Sequence, residues 1–292
     1  MHTTCHSETG RLHTVLIKPA QNSFISETVI ERDWARLNFL EKPDLAAALA
    51  EYEAFETLLR DNGAHILHLP PDDSVTMDSI YCRDAAIATD HGMILCNMGK
   101  AERQPEPASL RKAFEAHGIP ILGAIEAPGT LEGGDVAWLD EQTLAVGHTY
   151  RTNKSGIAQL TTLLQPFGID ILVAPLPHYK GPADVFHLMS ILSPVDRDLA
   201  VVYSPLMPIP FRNELLARGY QLVEVPDSEF DSMGCNVLAL APRRCLMVEG
   251  NPKTKAALEA QGCTVLTYKG NEISVKGGGG PTCLTRPVGR YQ

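Results

Sequence analysis

A short segment that recurs five times is the feature that most constrains the fold of this chain. Each copy begins with a glycine that ends an amphipathic helical pattern, and a short strand-like run follows at once. The copies succeed one another at intervals of about 50 residues. They are GAHILHL (63–69), GIPIL (118–122), GIDILV (168–173), GYQLVEV (219–225) and GCTVLTY (262–268). Five similar units predict a repeat fold in which every unit contributes a helix followed by a strand.

The helices before these glycines carry recognisable end signals. Asp44 can cap the first helix, and Asn251 followed by Pro252 forms a cap and a first turn for the last one. Each closing glycine can adopt the left-handed conformation that ends a helix. The sequence therefore predicts one helix per unit, of which the fourth, at about 210–218, is short.

Four of the units also contain a pair of strand-like runs around a turn. The predicted pairs are 84–89 with 93–96, 135–139 with 143–147, 187–192 with 199–203, and 236–240 with 245–248. The first unit has only the run 12–18, so we expect the C-terminal run 283–288 to be its partner. Pairing of the two chain ends then closes five strand-strand-helix-strand units into a ring without exposed sheet edges.

A closed ring would bring the first residues of the equivalent strands to one end of its axis. These residues are Asp84, Asp135, His187, Asn236 and Cys283, with Glu132 just before Asp135. Taken alone, His187 would most often be a core histidine, and Glu132 with Asp135 would indicate only a turn. Carboxylates, an imidazole and a thiol that converge in one place are the usual components of an active site. Their equivalent positions in the repeats favour that interpretation.

Cys283 follows four consecutive glycines, 277–280, at the head of the last predicted strand. Consecutive glycines indicate unusual backbone dihedrals or very close packing. A phosphate-binding loop is excluded because no helix follows. By itself the segment fits two descriptions equally well: a loop that presents a nucleophilic thiol, or a tail with a buried structural cysteine.

The composition excludes several classes of protein. A net charge of −10 disfavours nucleic acid and anionic membranes as partners and is compatible with a small cationic substrate. The seven cysteines are scattered and never spaced as Cys-x-x-Cys, which argues against a disulfide framework and a zinc ribbon. The N-terminus lacks an apolar signal core, and no stretch has the length of a membrane span. We therefore expect a single catalytic domain, 1–292, in the cytoplasm.

The longest connection without apolar periodicity is the segment 20–43. It contains Phe24, Trp34 and Phe39 among charged residues. A loop of this length in a compact domain is often a lid over a functional site. The alternative is a locally packed cap with a short helix at about 31–40, and the two interpretations are equally compatible with the sequence.

Several motifs together resemble the guanidino-group modifying, or pentein, superfamily, which includes dimethylarginine dimethylaminohydrolases, arginine deiminases and amidinotransferases. The motifs are LEGGDV (131–136), VGHTYRTN (146–153), YCRD (81–84), FHL (186–188) and GGGPTCLTRP (278–287). The resemblance covers essentially the whole chain. It implies an α/β fold, a five-bladed propeller of ββαβ units with pseudo-fivefold symmetry, closed by pairing of the N- and C-terminal strands. The five blades of this fold agree with the five repeats found in the sequence.

The resemblance also implies the chemistry. Cys283 would attack the guanidinium carbon as a thiolate and form a covalent S-alkylthiouronium intermediate. His187 would protonate the departing amine and later accept a proton from water, and Glu132 would orient His187. Asp84 would hold the substrate guanidinium through charge-assisted hydrogen bonds. The bound cation would also lower the pKa of Cys283.

The other end of the substrate would be held by a second group of residues. Asp78, Arg103 and Arg151 resemble the α-amine and carboxylate contacts of the methylarginine hydrolases, and Asp135 and Arg83 complete the candidate substrate-binding set. No cofactor and no metal are expected. The expected partner is a small cationic guanidino or amino-acid substrate, and a homodimer is an open alternative.

Two positions depart from the family patterns and bear on the substrate. Met189 stands where arginine deiminases have a carboxylate, and Arg83 stands where methylarginine hydrolases commonly have an acidic residue. The first departure favours an N-alkylated guanidino substrate, because an apolar thioether can accommodate an alkyl group. The leading hypothesis is hydrolysis of an N-methylated arginine to citrulline and a methylamine. The alternatives are arginine deiminase, amidinotransferase, a non-catalytic propeller that binds a cationic amino acid, and a zinc enzyme.

Overall fold

The structure, a computed structural model, describes residues 6–291. Fifteen strands form in the described chain. They are β1 (Arg11–Ile17), β2 (His65–His68), β3 (Ala86–Thr89), β4 (Gly92–Leu95), β5 (Ile121–Ala124), β6 (Val136–Trp138), β7 (Thr143–His148), β8 (Asp170–Pro175), β9 (Leu192–Asp196), β10 (Leu199–Val202), β11 (Gln221–Glu224), β12 (Leu238–Ala241), β13 (Arg244–Val248), β14 (Thr264–Tyr268) and β15 (Thr285–Tyr291).

These strands form five small mixed sheets, each of three strands. The sheets are β15-β1-β2, β3-β4-β5, β6-β7-β8, β9-β10-β11 and β12-β13-β14. In each sheet the middle strand pairs antiparallel with one neighbour and parallel with the other. The α/β class and the repeated strand order predicted from the sequence are confirmed.

Each parallel pair is connected by a helix, because two parallel strands need a crossover connection. The helices are α1 (Ala20–Ser23), α2 (Glu27–Asp33), α3 (Leu45–Asp61), α4 (Glu106–Ala116), α5 (Lys154–Leu164), α6 (Ile209–Ala217), α7 (Asp227–Phe230) and α8 (Pro252–Ala260). Helices α3, α4, α5, α6 and α8 are the five crossover helices. Each is followed by its predicted glycine, and all five of these glycines have positive φ, as the sequence predicted. Asp44 caps α3 by accepting a hydrogen bond from the amide of Ala47.

The two ends of the chain close the first sheet. β1 pairs antiparallel with β15, from Arg11 opposite Tyr291 to Ile17 opposite Thr285. The predicted pairing of the N- and C-terminal strands is therefore confirmed.

Hydrogen bonds join the sheets in cyclic order, and the fifth sheet is joined to the first. They run from Arg286 Nη1 to Ala86 O (2.9 Å), Trp138 Nε1 to Ala88 O (3.1 Å), Leu188 N to Asp135 Oδ1 (3.0 Å), Ser193 Oγ to Cys235 O (2.7 Å) and Arg290 Nη1 to Ala239 O (2.8 Å). Apolar residues of the strands and of the inner helix faces fill the space between the sheets.

The predicted strand 187–192 is wrong in its bounds. A 3₁₀ turn occupies Leu188–Ser190, where the Ser190 hydroxyl accepts a hydrogen bond from the amide of His187 at 3.1 Å. The strand β9 begins only at Leu192 and runs through Pro194, which was expected to lie in a turn. Proline is tolerated there because β9 is an edge strand.

The segment 20–43 is folded rather than extended. It contains α1 and α2, and the predicted helix at 31–40 is replaced by α2, which begins earlier because Ser26 caps it through the amide of Val29. Phe24 and Phe39 are buried, and the amide of Leu40 donates to the carbonyl of Lys276 at 2.7 Å. This segment therefore packs against the glycine-rich loop that precedes Cys283.

Among the helices within residues 6–291, none combines the length and the apolar character required to cross a membrane.

Leu215 and Leu216 are neighbours in α6 with 0% and 45% of their surface exposed. We predict that Leu215→Ala lowers the free energy of unfolding by about 2–5 kcal/mol, because it leaves a cavity in the core. Leu216→Ala is the matched control and should change that free energy by less than about 0.5 kcal/mol. Urea unfolding followed by circular dichroism measures both, and equal losses would show that the buried face of α6 is assigned wrongly.

Candidate active site

The residues predicted to meet at one end of the ring lie in the segments just before the outer strands β3, β6, β9, β12 and β15. Asp84, His187, Asn236 and Cys283 line one cleft of about 400 Å³. The cleft also contains Met189 and is bordered by Leu37 of the segment 20–43. The structure thus brings four of the five equivalent residues together. The fifth, Asp135, lies beneath the cleft.

Glu132 and His187 form a buried pair. His187 Nε2 lies 2.8 Å from Glu132 Oε2, and Glu132 Oε1 accepts hydrogen bonds from the amides of Gly99 (2.9 Å) and Lys100 (3.1 Å). Arg151 Nη1 contacts the same oxygen at 3.4 Å. These contacts leave the carboxylate no freedom to turn, so they fix the orientation of the imidazole.

The electrostatic environment favours the charged form of both partners. Burial by itself would lower the pKa of His187, but Asp135, Asp84 and Glu132 outweigh it and raise that pKa to about 9. Burial opposes ionisation of Glu132 as well, but the hydrogen bond and charge of His187, with the charge of Arg151, hold the pKa of Glu132 well below its usual range. The resting pair is therefore an imidazolium and a carboxylate, which is the state required of a general acid.

Gly134 has to be a glycine in this arrangement. A Cβ at this position would collide with the ring of His187 and the carboxylate of Asp84. The second glycine of LEGGDV thus lets the backbone approach two functional side chains closely, and the first lets it approach the backbone carbonyls of Arg83 and Ala86.

The thiol of Cys283 is half-buried and has polar neighbours. Asn236 Nδ2 lies 3.3 Å from Cys283 Sγ, and Asn236 Oδ1 accepts hydrogen bonds from the amide (3.0 Å) and hydroxyl (2.8 Å) of Thr282. Burial, followed by the negative charge of Asp84, raises the pKa of Cys283, although the hydrogen bonds from Asn236 and Thr282 oppose the shift. The unliganded site therefore favours the neutral thiol.

The glycine-rich loop packs too closely to carry side chains. A Cβ at Gly277 or Gly279 would overlap the ring of Tyr81, and a Cβ at Gly280 would overlap Asn236. The Tyr81 hydroxyl donates to the carbonyl of Ile273 at 3.1 Å and so ties the ring to the segment before the loop. Close approach, one of the two explanations offered by the sequence, accounts for three of the four glycines. The other explanation, an unusual dihedral, applies to Gly278, whose φ is 74°.

Asp84 has one occupied and one unoccupied carboxylate oxygen. Its Oδ2 accepts a hydrogen bond from Arg103 Nη1 at 2.5 Å. Its Oδ1 is buried, has no hydrogen-bond partner within residues 6–291, and lies 3.9 Å from His187 Nδ1. An unsatisfied buried carboxylate oxygen is costly. Asp84 is therefore suited to accept a cationic donor from a ligand in the cleft.

The other residues predicted to bind the substrate differ in whether they line the cleft. Asp78 lines the cleft and pairs with Lys100 Nζ at 2.6 Å. Arg103 also lines the cleft, but its guanidinium is bound to Asp84, to Glu106 and to the carbonyl of Tyr81.

Arg83 and Asp135 lie outside the cleft lining. The Arg83 side chain is buried and pairs with Glu8 at 2.8 Å. Asp135 accepts hydrogen bonds from the amide of Leu188 and the hydroxyl of Thr149, and burial raises its pKa to about 6. Asp135 thereby holds the backbone next to His187, so it positions the histidine rather than facing the cleft.

Lys100 was not predicted from the sequence, Tyr81 was named only within the motif YCRD, and Asn236 only as a member of the repeat pattern. Lys100 joins Asp78 to the carbonyl of Leu37 at 2.6 and 2.8 Å. Nothing in the sequence near Lys100 indicates this contact, because its partners are 22 and 63 positions away. Asn236, in contrast, could have been found from its equivalence to Cys283 and His187.

Asp84, Glu132 and His187 are also the described residues that could hold a metal ion, since one ligand atom from each lies within 4.8 Å of the others. His187 and Glu132 are, however, already hydrogen-bonded to each other, and a metal would have to replace that bond. The arrangement fits an acid–base pair better than a set of ligands that converge on an ion.

The fold and this cleft define the class of guanidino-group modifying enzymes, and comparison with known proteins agrees. A family model described as N,N dimethylarginine dimethylhydrolase, eukaryotic, matches residues 26–290. The chain belongs to this family and is an amidine-acting hydrolase of the pentein type.

The individual proteins that the chain resembles include dimethylarginine dimethylaminohydrolases and an amidinotransferase. The chain is 29% identical to an N(G),N(G)-dimethylarginine dimethylaminohydrolase of Streptomyces coelicolor over 218 residues, which is 75% of this chain and 77% of that protein. Among solved structures, it resembles a dimethylarginine dimethylaminohydrolase variant from Pseudomonas aeruginosa in complex with citrulline. The TM-score is 0.77 and the identity 22%, over 96% of this chain and all of that one. An amidinotransferase from Microseira wollei has a TM-score of 0.81 at 16% identity over 100% and 98% of the two chains, so the fold is shared beyond one activity.

The protonation state of Cys283 can be tested through its neighbour. We predict that Asp84→Asn lowers the pKa of Cys283, because it removes the negative charge that disfavours the thiolate. The rate of alkylation by iodoacetamide at pH 8 should then increase, roughly several-fold.

The measurement is the alkylation rate against pH, followed by mass spectrometry of the peptide that contains Cys283. Cys283→Ser supplies the background from the other cysteines. A slower reaction in Asp84→Asn at every pH would contradict the predicted direction of the pKa change.

Proposed function

We propose that the protein hydrolyses an N-alkylated arginine derivative, of the N-methylated arginine type, to citrulline and an amine through a covalent intermediate on Cys283. The observation that carries the proposal is the shared cleft of Cys283, His187 and Asp84. In it Asp84 presents a buried oxygen that accepts no hydrogen bond within residues 6–291, and Asp135, Asp84 and Glu132 hold His187 as a cation. We also infer that the five sheets, joined in cyclic order, form a five-bladed propeller with pseudo-fivefold symmetry. The equivalent turns then meet at one end of its axis.

The reaction begins when the substrate guanidinium binds Asp84. Burial and then the negative charge of Asp84 raise the pKa of Cys283. The bound cation offsets that charge, and the thiol loses its proton to solvent in the complex. The Cys283 thiolate attacks the guanidinium carbon. The tetrahedral adduct collapses as the imidazolium of His187 donates a proton to the departing amine, which leaves an S-alkylthiouronium on Cys283.

Water then hydrolyses the covalent intermediate, and the same side chains assist this second stage. The neutral imidazole of His187 accepts a proton from water, whose oxygen attacks the thiouronium carbon. The second proton of this water passes to Cys283 as it leaves, so that the neutral thiol, a ureido product and the imidazolium are formed. Glu132 stabilises the imidazolium at both stages through its 2.8 Å contact with Nε2.

The preference for an alkylated guanidine rests on Met189. Its side chain is buried in the wall of the cleft, two residues after His187. A thioether offers no charge to a second unsubstituted nitrogen, but it packs well against an N-methyl group. At the far end of the substrate, Asp78 is proposed to bind the α-amine, and Arg151 the carboxylate. The assignment of Arg103 to the carboxylate comes only from the resemblance.

The test is product formation from asymmetric dimethylarginine, monomethylarginine, arginine and agmatine by the purified protein. We expect citrulline and a methylamine from the methylated arginines. Cys283→Ser should abolish turnover because it removes the nucleophile. His187→Gly should lower kcat by roughly 10²–10⁴-fold because it removes the general acid and base.

Cys263→Ser, at a buried cysteine outside the cleft, is the matched control and should retain activity. Citrulline and ammonia from arginine alone would instead identify a deiminase. Transfer of the amidino group to an acceptor amine would identify an amidinotransferase.

A further inference from the structure

The two sides of the cleft differ in chemistry. Its buried carboxylates and guanidinium groups all belong to the chain between residues 78 and 151, and they are Asp78, Asp84, Arg103 and Arg151. The chain from 179 to 236, which runs up to β9 and β12, contributes instead five large apolar side chains to the cleft: Tyr179, Phe186, Met189, Phe230 and Met233. The cleft therefore has an apolar side that the binding of a charged substrate head does not use.

Three rings form a continuous surface on this side, and we call Tyr179, Phe186 and Phe230 the aromatic wall. The ring centroids of Tyr179 and Phe186 are 5.5 Å apart, and those of Tyr179 and Phe230 are 6.2 Å apart. Tyr203, which is outside the cleft lining, stacks on Phe230 at 3.9 Å and donates its hydroxyl to Asp227 at 3.0 Å. The rings of the wall are half-buried, so part of their apolar surface remains open to a ligand.

Two methionines add adaptable surface to the same side. Met189 is buried and Met233 is half-buried. Met233 has a φ of 68°, a left-handed conformation that bulky residues rarely adopt. Flexible thioethers can pack against apolar groups of different shapes. This side of the cleft can therefore fit more than one size of alkyl group.

The apolar side lies where the departing amine receives its proton. His187 is the proposed general acid, and in the chain Phe186 directly precedes it and Met189 follows two residues later. The departing nitrogen has to face His187, so a substituent on that nitrogen enters the apolar side. A methyl group extends only one carbon from the nitrogen and cannot contact all three rings of the aromatic wall.

The rim of the cleft limits the length of such a substituent. Lys180 Nζ lies 5.1 Å from the centroid of the Tyr179 ring and 3.2 Å from Asp231 Oδ1. The side chains of Lys180 and Asp231 are 54% and 80% exposed, so the surroundings become aqueous there. A short alkyl or benzyl group fits between His187 and this ion pair.

We propose that the substrate carries on its departing nitrogen an apolar substituent larger than methyl, a short alkyl or benzyl group, which packs against the aromatic wall. This inference rests on the proposed function, because the role of His187 fixes the position of the departing nitrogen. The bond between that nitrogen and the guanidinium carbon breaks, His187 supplies the proton, and a hydrophobic primary amine is released. N-methylated arginines are then the smallest members of the substrate class.

The experiment compares Nω-propyl-arginine with Nω-methyl-arginine, which differ by two methylene groups. In the wild-type protein we expect kcat/KM for the propyl compound to be about tenfold higher, because two more methylene groups leave water. Phe230→Ala and Tyr179→Ala should each bring this ratio close to one, and Phe230→Leu should retain most of it. Phe167→Ala, at an exposed phenylalanine outside the cleft, is the matched control and should keep the ratio of the wild-type protein.

Binding provides a second readout that needs no turnover. Calorimetry with Cys283→Ser should show the same preference for the propyl compound in the dissociation constants.

A wild-type ratio of one or less would overturn the proposal. Equal losses for both compounds in Phe230→Ala and Tyr179→Ala would also overturn it and assign the aromatic wall a structural role. Tighter binding of the propyl compound to Cys283→Ser, without turnover of either compound by the wild-type protein, would support the apolar subsite and contradict the proposed function.

Discussion

The pairing of the chain termini is the constraint on which the site depends. Cys283 lies two residues before β15, and the antiparallel register of β15 with β1 fixes where the thiol lies. The carbonyl of Cys283 accepts a hydrogen bond from the amide of Arg83 at 3.2 Å, so Cys283 lies beside the turn that carries Asp84. Residues about 200 positions apart in the chain are thus neighbours because the C-terminal strand returns to pair with β1.

Within the cleft, every buried carboxylate is matched by a cation. Glu132 pairs with His187, Asp84 with Arg103 and Asp78 with Lys100. Such matching is required because the desolvation of an unpaired charge is expensive. Asp84 is the exception in one respect, since its second oxygen accepts no hydrogen bond in the described structure. This carboxylate oxygen belongs to the same cleft as the Cys283 thiol, where the substrate guanidinium is proposed to bind.

A neutral resting thiol follows from the same electrostatics. Burial and then the negative charge of Asp84 raise the pKa of Cys283 and disfavour the thiolate. In the proposed mechanism a bound guanidinium offsets the charge of Asp84, so the thiolate forms mainly when substrate is present.

The sequence by itself determined the architecture: five units, a helix and a closing glycine in each, the pairing of the termini, and the convergence of Asp84, His187 and Cys283. These features follow from local periodicity and from repetition, which are visible along the chain. Only the tertiary structure decided where β9 begins and how the basic side chains are paired, so that Arg103 is bound to Asp84 and Lys100 to Asp78. The physical reason is that a long basic side chain pairs with the charged groups that lie nearest to it in space. Those groups belong to sheets and loops that are far apart in sequence, so the sequence does not show which of them are near.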